Sequence, residues 1–173
     1  MFPFPFSFLS GAVPDVPVTQ IANAEAMSFN GTDAYVKGSA SLPSSNYTIT
    51  AWINIETLTT ETIVSWGELD AGKRRSLFIW NGGTGAYKLY SSTYSSNIAG
   101  STALAANQWY HAAVTVSSAG DAKIYLNGSL DGIGTNTLNS FTGTDFYIGG
   151  GTPGEYFDGK IDEVAIFNKV LSS

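Results

Sequence analysis

Two acidic residues, Glu68 and Asp70, have the spacing that a catalytic carboxylate pair needs on a β-strand. Side chains at positions i and i+2 of a strand lie on the same face, and retaining glycoside hydrolysis needs two carboxyl groups about 5–5.5 Å apart. Ala71 and Gly72 follow directly, and this sequence is typical of a hairpin tip where both carboxylates would be hydrated. The pair therefore gives little support for hydrolysis.

The chain contains one histidine, His111, which follows Trp109 and Tyr110 in an alternating segment. A nucleophilic triad would place an activated serine and an orienting acid around it, but no serine stands in a nucleophile-elbow pattern. The chain has no cysteine, so thiolate nucleophiles, thiolate metal sites and disulfides are excluded. We therefore predict a half-buried strand histidine and no enzyme activity.

Most of the chain shows the period-2 alternation of apolar and polar residues that indicates β-strands. Residues 47–55 place Tyr47, Ile49, Ala51, Ile53 and Ile55 on one face, and residues 109–117 repeat the pattern. Shorter strands are predicted at 26–29, 34–36, 62–66, 76–80, 87–90, 123–126, 145–148 and 160–167. Short strands with Gly-rich turns and no long helical pattern predict an all-β sandwich or barrel.

Two features predict how particular strands pair. Asn127-Gly128 is a strong hairpin signal because a type I′ turn needs positive φ at both central residues. The strand near Phe29 and the one that includes Ile161 are expected to pair and close the sandwich. The alternation slips at Asp162-Glu163, and an acid on the buried side there would need a backbone or cation partner.

Composition limits the partners. The 173 residues are 43% hydrophobic and 13% charged, enough apolar material for the core of one domain. The formal net charge of −6 disfavours a phosphate backbone, so we expect no nucleic-acid partner. The only basic cluster, Lys73 with Arg74 and Arg75, lies beside Gly72 and is predicted to be a solvated turn.

Residues 1–25 are predicted to form an extended Pro/Phe-rich arm, and residues 26–173 the folded domain. The arm carries alternating aromatic rings at Phe2, Phe4, Phe6 and Phe8. Its prolines and its lack of Lys and Arg argue against an export signal, and no stretch reaches the roughly 18 apolar residues of a membrane span. We expect the rings either to pack on their own sandwich or to dock onto a neighbouring subunit, and stiff alternating aromatic residues favour the neighbouring subunit.

Six motifs in a fixed order carry a resemblance to a known family: MSFNGTDAYV, YTITAWINI, NQWYHAAVTV, KIYLNGSLDG, FYIGG and YFDGKIDEVAIFNKVLS. Over residues 27–172 the chain resembles the laminin G-like branch of the concanavalin A-like lectin/glucanase fold. The resemblance implies a jelly-roll of two antiparallel sheets used in adhesion, glycan binding and assembly. It also implies one structural calcium ion, for which Asn30, Asp33 and Asp162 are candidate ligands. The competing interpretation is that Asn30 and Asp33 bond only their own turn.

Aromatic residues in the middle of the chain are the candidate binding residues. They are Trp66, Trp80, Tyr87, Tyr90 and Tyr94. Rings of this kind form glycan platforms and protein interfaces alike, so both interpretations stay open.

The sequence thus favours a non-catalytic assembly component, such as a virion capsid-decoration or fibre protein, that contacts capsid or like chains through its arm and has a surface for host glycans. The alternative is a free carbohydrate-binding adhesin, and a glycoside hydrolase ranks last. The expected location is a virion surface or the extracellular space.

Overall fold

The computed structural model describes residues 26–152 and 154–172, which form twelve β-strands and no helix. The strands are β1 (Met27–Asn30), β2 (Val36–Ser39), β3 (Tyr47–Ile55), β4 (Glu61–Gly67), β5 (Arg74–Trp80), β6 (Lys88–Ser92), β7 (Asn97–Ala99), β8 (Trp109–Val116), β9 (Asp121–Leu126), β10 (Ser129–Thr135), β11 (Asp145–Ile148) and β12 (Asp158–Phe167). No helix able to cross a membrane occurs in these two ranges. The predicted arm, including its four phenylalanines, lies outside the described residues.

The strands form two six-stranded antiparallel sheets. The first sheet has the order β1-β12-β3-β8-β9-β10, and the second has the order β2-β11-β4-β5-β6-β7. Contacts between β12 and β4, β6 and β9, and β10 and β7 show that the sheets stack with their strand orders aligned. The prediction of an all-β jelly-roll sandwich is confirmed.

The core lies between the sheets and follows from the alternation in the sequence. On β3 the side chains of Tyr47, Ile49, Ile53 and Ile55 are fully buried, while Trp52 between them is exposed. Full burial of a large apolar side chain stabilises a fold by about 1.5–3 kcal/mol. A one-residue slip in register would turn all these side chains outward, so the pattern fixes the pairing of the first sheet.

The pairings predicted from local signals are present. Asn127 and Gly128 have φ of 51° and 78°, and β9 pairs with β10 across this turn. The terminal strands β1 and β12 also pair, with Met27 opposite Ile161. The sequence did not predict β7, and it placed β2 at residues 34–36 instead of Val36–Ser39.

The irregularity at Asp162-Glu163 is a β-bulge in β12. Glu163 has a φ of 47° and is exposed, and its backbone N–H donates to the Asp162 carboxylate at 2.8 Å. Asp162 itself is half-buried opposite Trp52. The backbone N–H is one of the two kinds of partner expected for an acid on the buried side, and the extra residue of the bulge absorbs the slip in alternation.

The predicted solvated basic turn is also wrong for two of its three members. Arg74 and Arg75 belong to β5 and are buried, and only Lys73 lies in the turn. The Arg75 guanidinium is fully buried and donates to the backbone carbonyls of Ser44, Gly72 and Asn139 at 2.6–2.9 Å. This side chain therefore joins three loops at one end of the sandwich.

A second buried charge-bearing group is Glu61, whose side chain points between the sheets opposite Ile79. Its Oε1 accepts hydrogen bonds from the backbone N–H and the hydroxyl of Thr59. Burial raises the pKa of Glu61 to about 7, and the negative charge of Asp158 contributes in the same direction.

Replacing Arg75 with Met is expected to destabilise the protein by about 3 kcal/mol, because three loop carbonyls lose their donors while the side-chain volume is kept. Denaturant unfolding measures the change. Lys73→Met is the matched control and should unfold almost as the wild type does, since its ion pairs are at the surface. Equal stability of Arg75→Met and wild type would contradict the role given to Arg75.

Glu61 should make stability depend on pH. Above the ordinary glutamate pKa of 4.5 the unfolded chain loses a proton that the folded protein keeps until about pH 7. The free energy of unfolding therefore falls as pH rises through this window, by on the order of 2–3 kcal/mol, and falls no further above it. Glu61→Gln keeps the acceptor for Thr59 without titrating, so its advantage over wild type should grow between pH 4.5 and 8. A difference that is constant with pH would refute the assignment.

Candidate functional site

The outer face of the second sheet brings together most of the polar and aromatic groups suited to binding. Register places Tyr147, Ser65, Ser76 and Ser92 in one row across β11, β4, β5 and β6. A second row contains Thr62, Phe78 and Tyr90. Because side chains alternate along each strand, these residues all point away from the core.

An ion pair lies on this face. Arg74 Nη2 is 3.1 Å from Glu155 Oε2 and 2.9 Å from the hydroxyl of Thr62. The Thr62 hydroxyl also donates to Glu155 Oε2 at 3.0 Å. The Arg74 side chain is 7% exposed and that of Glu155 is 24% exposed. The guanidinium is therefore buried in the protein, and solvent reaches the ion pair mainly at the Glu155 carboxylate. Such charge-assisted bonds fix the positions of the donors.

An open hollow of about 120 Å³ lies beside this ion pair. Its polar wall is formed by Ser65 and Arg74, and its apolar wall by Leu69 and the ring of Tyr147. Gly151 forms part of the rim at φ +108°, where a Cβ would lie 2.8 Å from both the Ser65 hydroxyl and the Tyr147 ring. A residue larger than glycine would therefore close the hollow.

Three tyrosines form a second part of the site, which we call the tyrosine cluster: Tyr35, Tyr147 and Tyr156. The Tyr35 ring centroid lies 6.0 Å from that of Tyr147 and 6.3 Å from that of Tyr156. Tyr35 is 48% exposed, so one ring is open to a ligand while its neighbours support it. The Lys37 ammonium, paired with Asp145 at 2.7 Å, lies 5.6 Å from the Tyr147 ring.

Farther along the same face lies the aromatic cluster of Phe78, Trp80 and Tyr90. Phe78 and Trp80 stack with ring centroids 6.4 Å apart, and both pack against Tyr90 at 5.3–5.4 Å. Phe78 and Tyr90 are only 7% and 8% exposed, whereas Trp80 is half-buried.

The structure separates the five aromatic residues predicted as binding residues. Trp80 and Tyr90 meet in the aromatic cluster. Trp66 contributes to the lining of the hollow beside Arg74, but its side chain points into the core with 1% of its surface exposed and donates its indole N–H to the carbonyl of Pro43. Tyr87 packs against the core, and Tyr94 lies 55% exposed in the turn after β6.

The outer face of the first sheet carries a different surface. Trp52 and Trp109 are 39% and 43% exposed, and Trp52 meets the half-buried ring of His111 edge-on at 5.3 Å. A groove of about 430 Å³ lies farther along this sheet, between Tyr125 and the C-terminal residues Val170 and Leu171. Its polar lining includes Ser117, Asp121 and Lys123, and none of the ion pairs found among the described residues lies in it.

The carboxylates considered for catalysis lie in the turn between β4 and β5, as predicted. The Lys73 ammonium contacts both, at 3.3 Å from Glu68 and 3.0 Å from Asp70. Hydrogen bonds from Thr142 and Lys73 hold the pKa of Glu68 below its usual value, and Lys73 with the Ala71 backbone does the same for the pKa of Asp70. A general acid needs a raised pKa, so neither group is suited to that role.

The predicted calcium ligands are not brought together. Asn30 lies opposite Asp158 in the β1–β12 register, and Asp162 stands four residues farther along β12. The Asn30 amide oxygen accepts the backbone N–H groups of Thr32, Asp33 and Ala34, and its amide donates to Asp33. The three predicted ligands do not come together because the strand register, which a sequence motif does not reveal, places Asn30 opposite Asp158 and not opposite Asp162. Over the described ranges, no three His, Cys, Asp or Glu residues are placed to share a metal ion.

Sequence reasoning missed Arg74, Glu155 and the tyrosine cluster. One signal was available for part of the site: Phe78 and Trp80 are two residues apart on a strand and therefore share a face. The remaining residues come from distant parts of the chain, and only the order of strands joins them.

Comparison with known proteins gives the family. The family model of the concanavalin A-like lectin/glucanases superfamily matches residues 30–173. Among solved structures, a heptameric pentraxin from Limulus polyphemus is 20% identical, with a TM-score of 0.68 over 84% of this chain and 76% of the pentraxin.

Two further structures extend this comparison. A Bacteroides ovatus protein assigned to carbohydrate binding is 25% identical, with a TM-score of 0.65 over 85% of this chain and 44% of that protein. Domain 4 of an extracellular arabinanase from Geobacillus stearothermophilus, solved with arabinotriose, is 23% identical, with a TM-score of 0.58 over 84% of this chain and 83% of that domain. No curated protein matches the sequence. The motifs, the aligned sheets and the family match together show that the chain belongs to the laminin G-like family of the concanavalin A-like lectin/glucanases superfamily.

Proposed function

We propose that this protein is a non-catalytic carbohydrate-recognition module that binds an oligosaccharide on the outer face of its second sheet. The observation that carries the proposal is the hollow beside the Arg74–Glu155 ion pair, where fixed polar groups face the ring of Tyr147. Sugars present hydroxyl groups at their edges and C–H groups on their faces, so they need both kinds of wall. Binding sites for small ligands generally combine an apolar lining with a few fixed polar groups.

The comparisons support this class of ligand. The Bacteroides ovatus protein is assigned to carbohydrate binding, and it is as similar in sequence as any structure reported above. Recognition without turnover fits the one carboxylate pair that has catalytic spacing, because Thr142 and Lys73 lower the pKa of Glu68, and Lys73 lowers that of Asp70, in an exposed turn.

A second proposal retains the assembly role predicted from the sequence, as a virion decoration or fibre component or another particle-bound protein located outside cells. The exposed Trp52 and Trp109 on the first sheet favour it, since large exposed aromatic side chains are enriched at protein interfaces. In this arrangement the first sheet faces the particle and the second sheet faces the glycan.

Glycan binding is tested by screening the purified full chain against an oligosaccharide array and measuring the best ligand by calorimetry. Tyr147→Ala is expected to weaken binding about tenfold, equivalent to about 1.4 kcal/mol, because the apolar wall is lost. Arg74→Gln should weaken it at least as much, since a charged donor becomes neutral.

The control is Trp109→Ala, which removes a ring of similar exposure from the opposite face and should bind as the wild type does. If no oligosaccharide binds, or if Trp109→Ala alone abolishes binding, the proposed site is wrong.

One structural calcium ion also remains a proposal, now centred on Glu61 and Asp158 in place of the predicted set. The carboxyl groups of Glu61 and Asp158 interact electrostatically, and Glu61 Oε2 is buried without a hydrogen-bond partner among the described residues, which together favour a hard cation. Calcium should raise the melting temperature at pH 8, where Glu61 is ionised, and the increase should disappear in Glu61→Gln. Identical melting with calcium and with a chelator would exclude the ion.

A further inference from the structure

The outer face of the first sheet is high on one side and low on the other. Strand register places three rows of side chains across β12, β3 and β8. Row A is Lys160, Asn54 and Trp109, row B is Asp162, Trp52 and His111, and row C is Ala165, Thr50 and Ala113. Row A carries long or bulky side chains, whereas row C carries two methyl groups and one threonine. The surface therefore descends from row A to row C.

Row C forms the floor of a trough. Ala113 is 7% exposed, whereas Trp52 in the neighbouring row is 39% exposed. On the other side of row C, the Thr48 hydroxyl donates to the carbonyl of Lys169 at 2.8 Å and accepts the backbone N–H of Leu171 at 3.0 Å. These two bonds hold the C-terminal segment over the sheet. The trough therefore has one wall at Trp52 and a second wall at this segment.

Two charged side chains lie on β12 on either side of row B. Lys160 belongs to row A, and Glu163 lies in the bulge between rows B and C. Both are exposed, and neither takes part in an ion pair with another residue of the described ranges. The high side of the face therefore carries a cation, and the low side carries an anion.

We propose that this face binds the same face of a second copy of the chain. A twofold axis along row B, midway between the two faces, places the partner's row C over row A and the partner's row A over row C. Trp109 then enters the partner's trough above the partner's Ala113, and Lys160 meets the partner's Glu163. Because a twofold interface uses one patch twice, each contact occurs twice. Shape and charge are thus both self-complementary.

The face is large enough for a stable dimer. Six strands about 4.8 Å apart span about 29 Å, and the nine residues of β3 span about 31 Å. The resulting area of about 900 Å² compares with about 800 Å² buried on each partner of a stable interface. Trp52 and Trp109 lie near its centre, and tryptophan is enriched among the residues that dominate binding energy.

This inference rests on the protein-interface role proposed for the first sheet and names a like chain as the partner. It does not depend on glycan binding by the second sheet. The wild-type full chain should have twice the mass of one chain in sedimentation equilibrium, with a measurable dissociation constant.

Charge reversal tests the arrangement. Lys160→Glu opposes two acids at each contact, and Glu163→Lys opposes two lysines, so each variant alone should dimerise about tenfold more weakly. An equal mixture of the two variants should form a heterodimer about as tight as the wild-type dimer, because every acid then meets a lysine. Lys88→Glu makes the same charge change on the second sheet and should leave dimerisation unchanged.

Three results would overturn the dimer. A wild-type chain that stays monomeric up to millimolar concentration excludes the second copy, and the sheet then stays free for a different protein. A wild-type dimer that neither reversal weakens uses another surface, which also contradicts the protein-interface role of the first sheet. A mixture that associates as weakly as its two components excludes the proposed pairing of Lys160 with Glu163.

Discussion

The central strands β4 and β5 are buried on both faces, and much of the molecule depends on this constraint. A strand with two buried faces has no solvent side on which to place polar groups, so each of these must find a partner in the protein. Arg75 on the inner side donates to loop carbonyls, and Arg74 on the outer side pairs with Glu155. The hydrogen bonds of Arg75 and the ion pair of Arg74 together hold the loops around the hollow in place. A binding surface built this way is organised before a ligand arrives, which lowers the entropic cost of binding.

The two outer faces of the sandwich differ in chemical character. The first sheet presents Trp52 and Trp109 to solvent on strands whose other side is core. The second sheet carries a closed aromatic region beside an open polar hollow. In the two functions proposed above, the first surface would contact a protein partner and the second a small polar ligand. Neither surface disturbs the core, since alternation along a strand separates the two sides.

The sequence was sufficient for much of the fold. In β3 and β8, residues of one face are buried and some residues of the other face are exposed to solvent. The alternation of apolar and polar residues therefore identifies both the strand and the face that points into the core. Asn127-Gly128 identified the β9–β10 hairpin because few residue pairs accept two positive φ angles. The strands that escaped prediction or shifted were short edge strands, β7 and β2, which have only three or four residues to show a period.

The sequence by itself determined the sandwich, its acidic and cysteine-free character, and the family to which it belongs. The tertiary structure alone decided which side chains form the site. Arg74 and Arg75 are adjacent in a basic cluster, yet one faces outward to Glu155 and the other inward to the loops. The register shift between Thr62 and Val64 likewise sets which side of β4 Trp66 occupies, and it turns that ring into the core. The physical reason is that the side of a sheet depends on bulges and on pairing with distant strands, and a local pattern contains neither.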